Sequence, residues 1–182
     1  SSLRDRLFFD GIGRLLILGG FNFNMIDIER ASQAELNKVP YLCVFSLDFM
    51  DKATQQKLAE YVKRGGKLIL YYQVPEKDLS LKNETYLRDF LGIDGIIKSN
   101  DNLIYIDGKD YMTEAETSIL KTKKAKVLAR TINGNKPCAV KKKIGKGEAV
   151  VVGFGMTHVF DYHIDITRKM CEEIGLKGPK DS

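Results

Sequence analysis

The strongest constraint in this sequence is a pair of continuous apolar segments separated by one amphipathic stretch. The two segments are Tyr41–Phe45 and Lys67–Tyr72, and neither alternates apolar with polar residues. Uninterrupted apolar runs of this kind are typical of parallel strands that are covered on both faces. Between them, Leu58, Tyr61 and Val62 recur at helical spacing and predict a helix packed on the sheet. A strand, a helix and a strand within about thirty residues predict a parallel βαβ unit.

Both ends of the predicted helix carry typical boundary residues. Asp51 stands just before it, where a carboxylate can accept hydrogen bonds from the first-turn N–H groups. Gly65 is predicted to end the helix, and Gly66 to begin the turn into the second strand. A further short helix is predicted over residues 84–91, because its apolar residues share one face and a glycine follows.

The N-terminal part of the chain is predicted to contribute a helix and then a strand. Apolar residues at helical spacing favour a helix over residues 4–18, and the alternative is a strand over Arg14–Leu18. Aromatic residues that alternate with asparagines favour a strand over residues 21–28. At the other end of the chain, inward-facing apolar residues predict a final helix over residues 161–174.

The second half of the chain changes character, because turns rather than helices join its apolar runs. Asp107-Gly108 and Asn133-Gly134 are dipeptides that favour antiparallel hairpins, and Gly145-Lys146-Gly147 supplies a third turn. The predicted strands lie over residues 103–106, 127–132, 138–144 and 149–154. We therefore predict one α/β domain over residues 1–182, in which helices sandwich a mostly parallel sheet with an antiparallel excursion in its second half.

Composition excludes several classes of protein. The chain has 182 residues, of which 43% are hydrophobic, and this content suits a globular domain with a core of its own. The longest apolar runs are far shorter than the ~20 residues of a membrane-spanning helix, so no membrane association is predicted. The net charge is +5. Its densest runs, Lys121–Lys126 and Lys141–Lys143, are interpreted as solvated surface rather than as a nucleic-acid site.

The cysteines and glycines carry no recognised site motif. Cys43, Cys138 and Cys171 are odd in number and lack a C-x-x-C spacing, which disfavours a zinc site and a disulfide framework and favours a reducing, cytoplasmic location. Gly11-Ile12-Gly13 lacks the third glycine of a dinucleotide-binding fingerprint, and G-x-x-x-x-G-K-[ST] and G-x-S-x-G are absent. We therefore predict no cofactor.

Two histidines near the C-terminus are candidate metal ligands. His158 and His163 stand five residues apart, a spacing that does not place them on one face of a helix. Asp161 between them is a natural N-cap for the final helix. We predict capping or surface roles for these residues and no metal site.

The candidate site lies at the carboxyl ends of the predicted parallel strands, where ligands bind in open α/β sheets. Residues at these ends form the candidate crevice; ordinary strand exits, with no ligand, are the alternative. The crevice residues are Ser46, Asp48, Tyr72, Gln73, Phe154, His158 and Asp161.

Four segments together resemble a known family. The core of the resemblance is Phe45–Tyr72, a strand and a helix ending in Tyr-Val-x-x-Gly-Gly followed by a hydrophobic strand, and Gly19–Glu29, Tyr86–Ile93 and Gly145–Gly155 support it. These segments resemble the trimerisation domain of thermostable β-galactosidases and exo-β-glucosaminidase-type glycoside hydrolases. The resemblance implies a flavodoxin-like, class I glutamine-amidotransferase-like three-layer fold.

The resemblance also implies a role and partners. The chain is expected to be a fragment of a larger glycosidase, with its first strand missing, because family members place a strand before the first helix. It is expected to be non-catalytic, to pack against the barrel domain of its parent chain and to form a homo-oligomer, either a trimer or a dimer. The parent enzyme is expected to remove terminal β-linked galactose or glucosamine.

Glutamine amidotransferases proper carry a nucleophilic cysteine after the strand equivalent to Lys67–Tyr72. This sequence has Gln73-Val74-Pro75 there, and His158 with Asp161 does not match their His-x-Glu spacing. Without a thiolate, an imidazole has nothing to activate, so the amidotransferase reaction is predicted to be absent. The alternatives that stay open are a small-molecule or carbohydrate-binding module at the strand ends and a nucleic-acid binder.

Overall fold

The computed structural model describes residues 3–10, 21–113, 116–155 and 161–177, and the side chains of residues 161–163 are not among those described. The strands are β1 (Leu7–Asp10), β2 (Phe23–Met25), β3 (Tyr41–Ser46), β4 (Lys67–Tyr72), β5 (Ile93–Ser99), β6 (Leu103–Ile106), β7 (Lys109–Met112), β8 (Thr117–Thr122), β9 (Lys126–Thr131), β10 (Pro137–Ile144) and β11 (Gly147–Val152). The helices are α1 (Gln33–Asn37), α2 (Lys52–Lys63), α3 (Tyr86–Phe90) and α4 (Asp161–Glu173), and a 3-10 turn spans Leu3–Asp5.

One large sheet organises these elements. Its nine described strands run in the order β2-β1-β3-β4-β11-β10-β9-β6-β7. The first five are parallel to one another, and each strand from β10 onward is antiparallel to its neighbour. Strands β5 and β8 form a separate antiparallel pair. The prediction of a mostly parallel α/β sheet with an antiparallel second half is therefore confirmed.

The central strands of the sheet are covered on both faces, which gives three layers. On one face, α4 contributes Ile166, Met170 and Ile174 to an apolar cluster that also contains Leu7 and Ile69. The other face packs against α1, α2 and α3. The β5–β8 pair joins this second layer, because Leu120 of β8 belongs to the same cluster as Val140 of β10. Two-sided burial explains why β3 and β4 are continuously apolar.

The predicted βαβ unit is confirmed. Strands β3 and β4 are parallel neighbours, and α2 connects them. The Asp51 carboxylate accepts the Thr54 N–H at 3.1 Å, as expected of an N-cap. At the other end, the Gly65 N–H donates to the Val62 carbonyl at 3.0 Å. The part of the chain that the structure describes contains no helix long and apolar enough to cross a bilayer.

A close joint connects the end of α2 to the β10–β11 hairpin. The Tyr61 hydroxyl donates to the Val39 carbonyl at 2.9 Å and accepts the Lys67 N–H at 3.3 Å, so one side chain ties the helix to the start of both β3 and β4. Gly66 lies against the Tyr61 ring, where a Cβ would come within 2.5 Å of it. Gly147 lies against the carbonyl oxygens of Val62 and Gly66 and leaves no room for a Cβ.

The N-terminal prediction is wrong for the residues that the structure describes. Residues 7–10 form β1, which pairs in parallel with β2 and β3, rather than part of a helix over residues 4–18. The apolar residues of this short segment fit a helical period by chance. Pairing with β2 on one side and β3 on the other makes the segment a strand. Residues 11–18, including the alternative strand Arg14–Leu18, lie outside the described residues. The prediction that the first strand of the family fold is missing assumed a helix over residues 4–18, and residues 7–10 form a strand instead.

Other elements were found only in the structure. Helix α1 lies in a polar stretch for which the sequence patterns predict no helix, although Ser32 and Glu35 form a capping box at its start. Strands β5, β7 and β8 were also missed, because each mixes charged and apolar residues without a clear period of two. The other helices and strands in the second half lie within a few residues of their predicted bounds.

Substituting Gly147→Ala is expected to destabilise the fold by about 3 kcal/mol, because the added methyl group overlaps two carbonyl oxygens that cannot retreat without moving the end of α2. Urea unfolding measures the change. Gly95→Ala is the matched control, since the nearest atom to its Cβ is a flexible Lys121 carbon at 3.5 Å. Equal stability of the two variants would show that the joint is not tight.

Candidate functional site

The carboxyl ends of the parallel strands bring four of the predicted site residues together. Ser46 and Tyr72 are direct partners across β3 and β4, and the Gln73 N–H donates to the Ser46 carbonyl at 3.0 Å. The Asp48 carboxylate lies 3.7 Å from the Lys77 ammonium group. Its backbone carbonyl accepts the Glu76 N–H at 2.9 Å, so the two strand exits are held to each other.

The remaining predicted residues do not join them in the described part of the site. Phe154 follows β11, and its side chain is completely buried in the cluster under α4. Asp161 begins α4, and its side chain is not described. His158 lies outside the described residues, and so does the side chain of His163.

An aromatic stack forms one side of the crevice. The rings of Phe45 and Tyr72 lie parallel, with centroids 5.8 Å apart and an interplanar angle of 6°, and Phe45 meets Tyr71 edge to face. Tyr72 has a backbone φ of 80°, a left-handed conformation that costs a tyrosine about 1–2 kcal/mol. The stack, together with contact between the Tyr72 ring and Gly155, holds this conformation at the strand end.

A cleft of about 220 Å³ opens beside this stack. It lies between the ends of β1 and β3 and the start of α2. Its lining combines carboxyl and hydroxyl groups with apolar side chains: Asp10, Ile28, Glu29, Phe45, Ser46, Leu47, Phe49, Met50, Thr54 and Leu79.

Asp10 is the cleft residue that sequence reasoning missed, because it lay inside a predicted helix. Its carboxylate accepts the Ile28 N–H at 3.3 Å. Burial raises the pKa of Asp10 above its ordinary value, the hydrogen bond from Ile28 opposes this change, and the charges of Asp27 and Glu29 add to it. A carboxyl with a raised pKa in a cleft suits binding or proton transfer, although structural networks produce the same shift.

Lys57 of α2 fixes the rim of the cleft. Its ammonium group donates to the backbone carbonyls of Ile28 at 2.8 Å, Ala31 at 2.7 Å and Glu29 at 3.2 Å. Three charge-assisted hydrogen bonds hold this segment against the helix, and therefore position Glu29 beside Asp10.

The thiols are unsuited to nucleophilic chemistry. Cys43, Cys138 and Cys171 are all buried. Burial raises the pKa of Cys43 well above its ordinary value and raises the pKa of Cys138 and of Cys171 to about 12. A thiol must be ionised to attack a carbon or to ligate a metal, so these three stay inert near neutral pH. Among the described residues, no three His, Cys, Asp or Glu side chains converge as a metal site would require.

The basic runs are partly neutralised within the fold. Lys126 and Lys141 both approach the Glu173 carboxylate of α4, at 3.2 and 3.5 Å. Lys143 lies 3.8 Å from Glu148. Lys126 and Lys141 therefore tie α4 to the sheet, and Lys143 pairs within the β10–β11 hairpin.

Comparison with known proteins places this fold among carbohydrate-active relatives. A family model described as GLMA-like, second domain, matches residues 1–136. A β-1,2-glucosyltransferase of Ignavibacterium album is 33% identical over 170 residues, which cover 92% of this chain and 24% of that protein. An exo-β-D-glucosaminidase of Pyrococcus horikoshii is 32% identical over an alignment of 190 residues, gaps included, which covers 98% of this chain and 24% of that protein. The chain spans about a quarter of the length of these curated relatives.

A solved structure supports the same fold. A β-galactosidase from Bacillus circulans sp. alkalophilus matches with a TM-score of 0.70 and 15% identity, covering 96% of this chain and 32% of that chain. At this identity the likeness shows a shared fold. The resemblance drawn from the sequence segments is therefore confirmed, both by the family model and by the fold.

Substituting Asp10→Asn is expected to stabilise the protein more at pH 7 than at pH 4. Because the folded state raises the pKa of Asp10, the ionised carboxylate destabilises the fold above that pKa, and this cost disappears as the pH falls below the ordinary value of 3.8. Urea unfolding of both proteins at the two pH values measures the difference. Exposed Asp110→Asn is the control, and an equal Asp10→Asn effect at both pH values would contradict the prediction.

Proposed function

The chain belongs to the family of GLMA-like second domains, and we propose that it is a non-catalytic accessory domain of a glycoside hydrolase. In this role it packs against the catalytic part of the same polypeptide and supports association of subunits. The parent enzyme removes terminal β-linked sugars, galactose or glucosamine. The observation that carries this proposal is that almost the whole chain aligns with about a quarter of a β-1,2-glucosyltransferase and of an exo-β-D-glucosaminidase.

The chemistry of the described residues supports a scaffold role. The three thiols are buried, and burial raises the pKa of each of them. The hydroxyl of Ser46 at the strand end donates to the Leu47 carbonyl at 3.0 Å, so this polar group is already bonded to the backbone. A rigid three-layer domain of this kind can orient neighbouring active sites without supplying catalytic groups.

The 182-residue chain is expected to hydrolyse neither a chromogenic β-galactoside nor a chromogenic β-glucosaminide, whereas the longer polypeptide that carries it is expected to hydrolyse one of them. Release of the chromophore, followed through purification, measures both. Turnover that copurifies with the 182-residue chain, or its absence from the longer polypeptide on both substrates, would contradict the proposal.

A second candidate function is carbohydrate binding in the strand-end cleft. The specific observation in its favour is the pairing of carboxyl groups of Asp10 and Glu29 with the aromatic side chains of Phe45 and Phe49 in one cleft. Carboxylates accept sugar hydroxyl hydrogens, and aromatic rings cover the apolar face of a pyranose. Calorimetric titration with galactose, glucosamine and lactose tests it. Heat that Asp10→Asn abolishes supports binding there, and no heat up to millimolar sugar excludes it.

A further inference from the structure

One face of the antiparallel half of the large sheet is uncovered in the described structure. Four apolar residues, here named the open face, lie on it with exposed fractions of 37–55%: Leu103, Tyr105, Met112 and Ile132. Their neighbours along β6 and β7 point the other way, into the core under α4: Ile104, Ile106 and Tyr111. This alternation means that the open face is a regular sheet surface rather than a set of frayed ends.

The members of the open face are adjacent through the strand register. Leu103 is the direct partner of Met112, and the Ile132 N–H donates to the Leu103 carbonyl at 3.0 Å. Tyr105 is the direct partner of Arg130 in β9. Neighbouring strands lie about 4.8 Å apart, so these side chains form one contiguous apolar patch.

A cleft of about 500 Å³ adjoins this patch. It lies between the β5–β8 pair and the start of β10, and its lining is mainly apolar with a basic rim. The lining residues are Asp94, Ile97, Ile119, Leu120, Lys121, Thr122, Lys123, Lys136 and Pro137. Pro137 pairs with Arg130, which in turn pairs with Tyr105, so the cleft and the open face are continuous across the sheet.

Basic groups outnumber acidic groups on this surface, which also carries the exposed Asp110 as the direct partner of Tyr105. Lys121, Lys123 and Lys136 are exposed, and none of them forms an ion pair with a described residue. Asp94 is the acidic residue in the cleft lining. A second copy presents the same excess of positive charge and therefore complements this face less well than an acidic partner does. An apolar surface rimmed by carboxylates complements it.

We infer that the open face and its cleft dock onto an apolar, carboxylate-rimmed surface of another domain of the same polypeptide. This inference rests on the proposed function and names the surface that serves it. About three quarters of the length of the curated relatives lies outside the match, and in the proposed role such a domain is tethered to this one. Tethering gives a high effective concentration, which makes a contact of ordinary interdomain size sufficient.

Thiol labelling of the longer polypeptide tests the docking. The native Cys43, Cys138 and Cys171 are buried, so a thiol introduced at the surface reports on its own position. Tyr105→Cys and Met112→Cys place the probe on the open face, and Leu81→Cys, at a position that is 64% exposed, is the matched control. The probe is a maleimide, and the measured quantity is the labelling rate of the native protein.

In the longer polypeptide, the two open-face thiols are expected to react at least about tenfold more slowly than the control, equally at nanomolar and micromolar protein. In the 182-residue chain, all three are expected to react at similar rates. Equal rates in the longer polypeptide would overturn the inference. Protection that vanishes on dilution would also overturn it, because it would identify a second copy as the partner.

Charge reversal tests the basic rim. Lys121→Glu combined with Lys136→Glu is expected to raise the labelling rate of Tyr105→Cys several-fold in the longer polypeptide, and exposed Lys38→Glu is expected to leave it unchanged. No effect of the double reversal would refute an acidic partner. Glycosidase assay of the same samples separates the two proposals: protection without hydrolysis refutes the proposed function alone, and hydrolysis without protection refutes the docking alone.

Discussion

The fold depends on a close approach between the end of α2 and the hairpin that joins β10 to β11. The Tyr61 hydroxyl is hydrogen-bonded to the backbone of Val39, just before β3, and of Lys67, at the start of β4. Gly66 leaves space for the Tyr61 ring. Gly147 then allows the hairpin to lie against the last turn of the helix, and the Glu148 N–H donates to the Gly66 carbonyl at 3.1 Å. This contact aligns β11 beside β4 and so joins the parallel half of the sheet to the antiparallel half.

The sequence patterns predict the centre of the fold better than its edges, for physical reasons. Strands β3 and β4 are buried on both faces and therefore carry an unmistakable apolar signal. Strand β1 has four residues, too few to separate a period of two from a period of 3.6, and only its neighbours in the sheet make it a strand. The same error concealed Asp10, whose place in the cleft depends on the order of strands rather than on any local motif.

The two regions of interest lie in opposite halves of the sheet and suit different roles. The strand-end cleft combines a carboxyl of raised pKa with aromatic side chains, a composition suited to holding a small polar ligand. The open face presents an apolar patch with a basic rim, which suits a protein surface. The curated relatives that it matches are about four times as long as this chain, which is consistent with the proposed docking to another domain.

We propose that this domain supports a carbohydrate-active enzyme by contact rather than by chemistry. An experimental structure of the longer polypeptide with a bound substrate analogue is the decisive test. We expect the sugar to lie within another domain, no atom of Ser46, Tyr72 or Gln73 to touch it, and Tyr105 and Met112 to be covered. A sugar whose scissile bond is contacted by side chains of this chain, with the β6–β7 surface open to solvent, would contradict it.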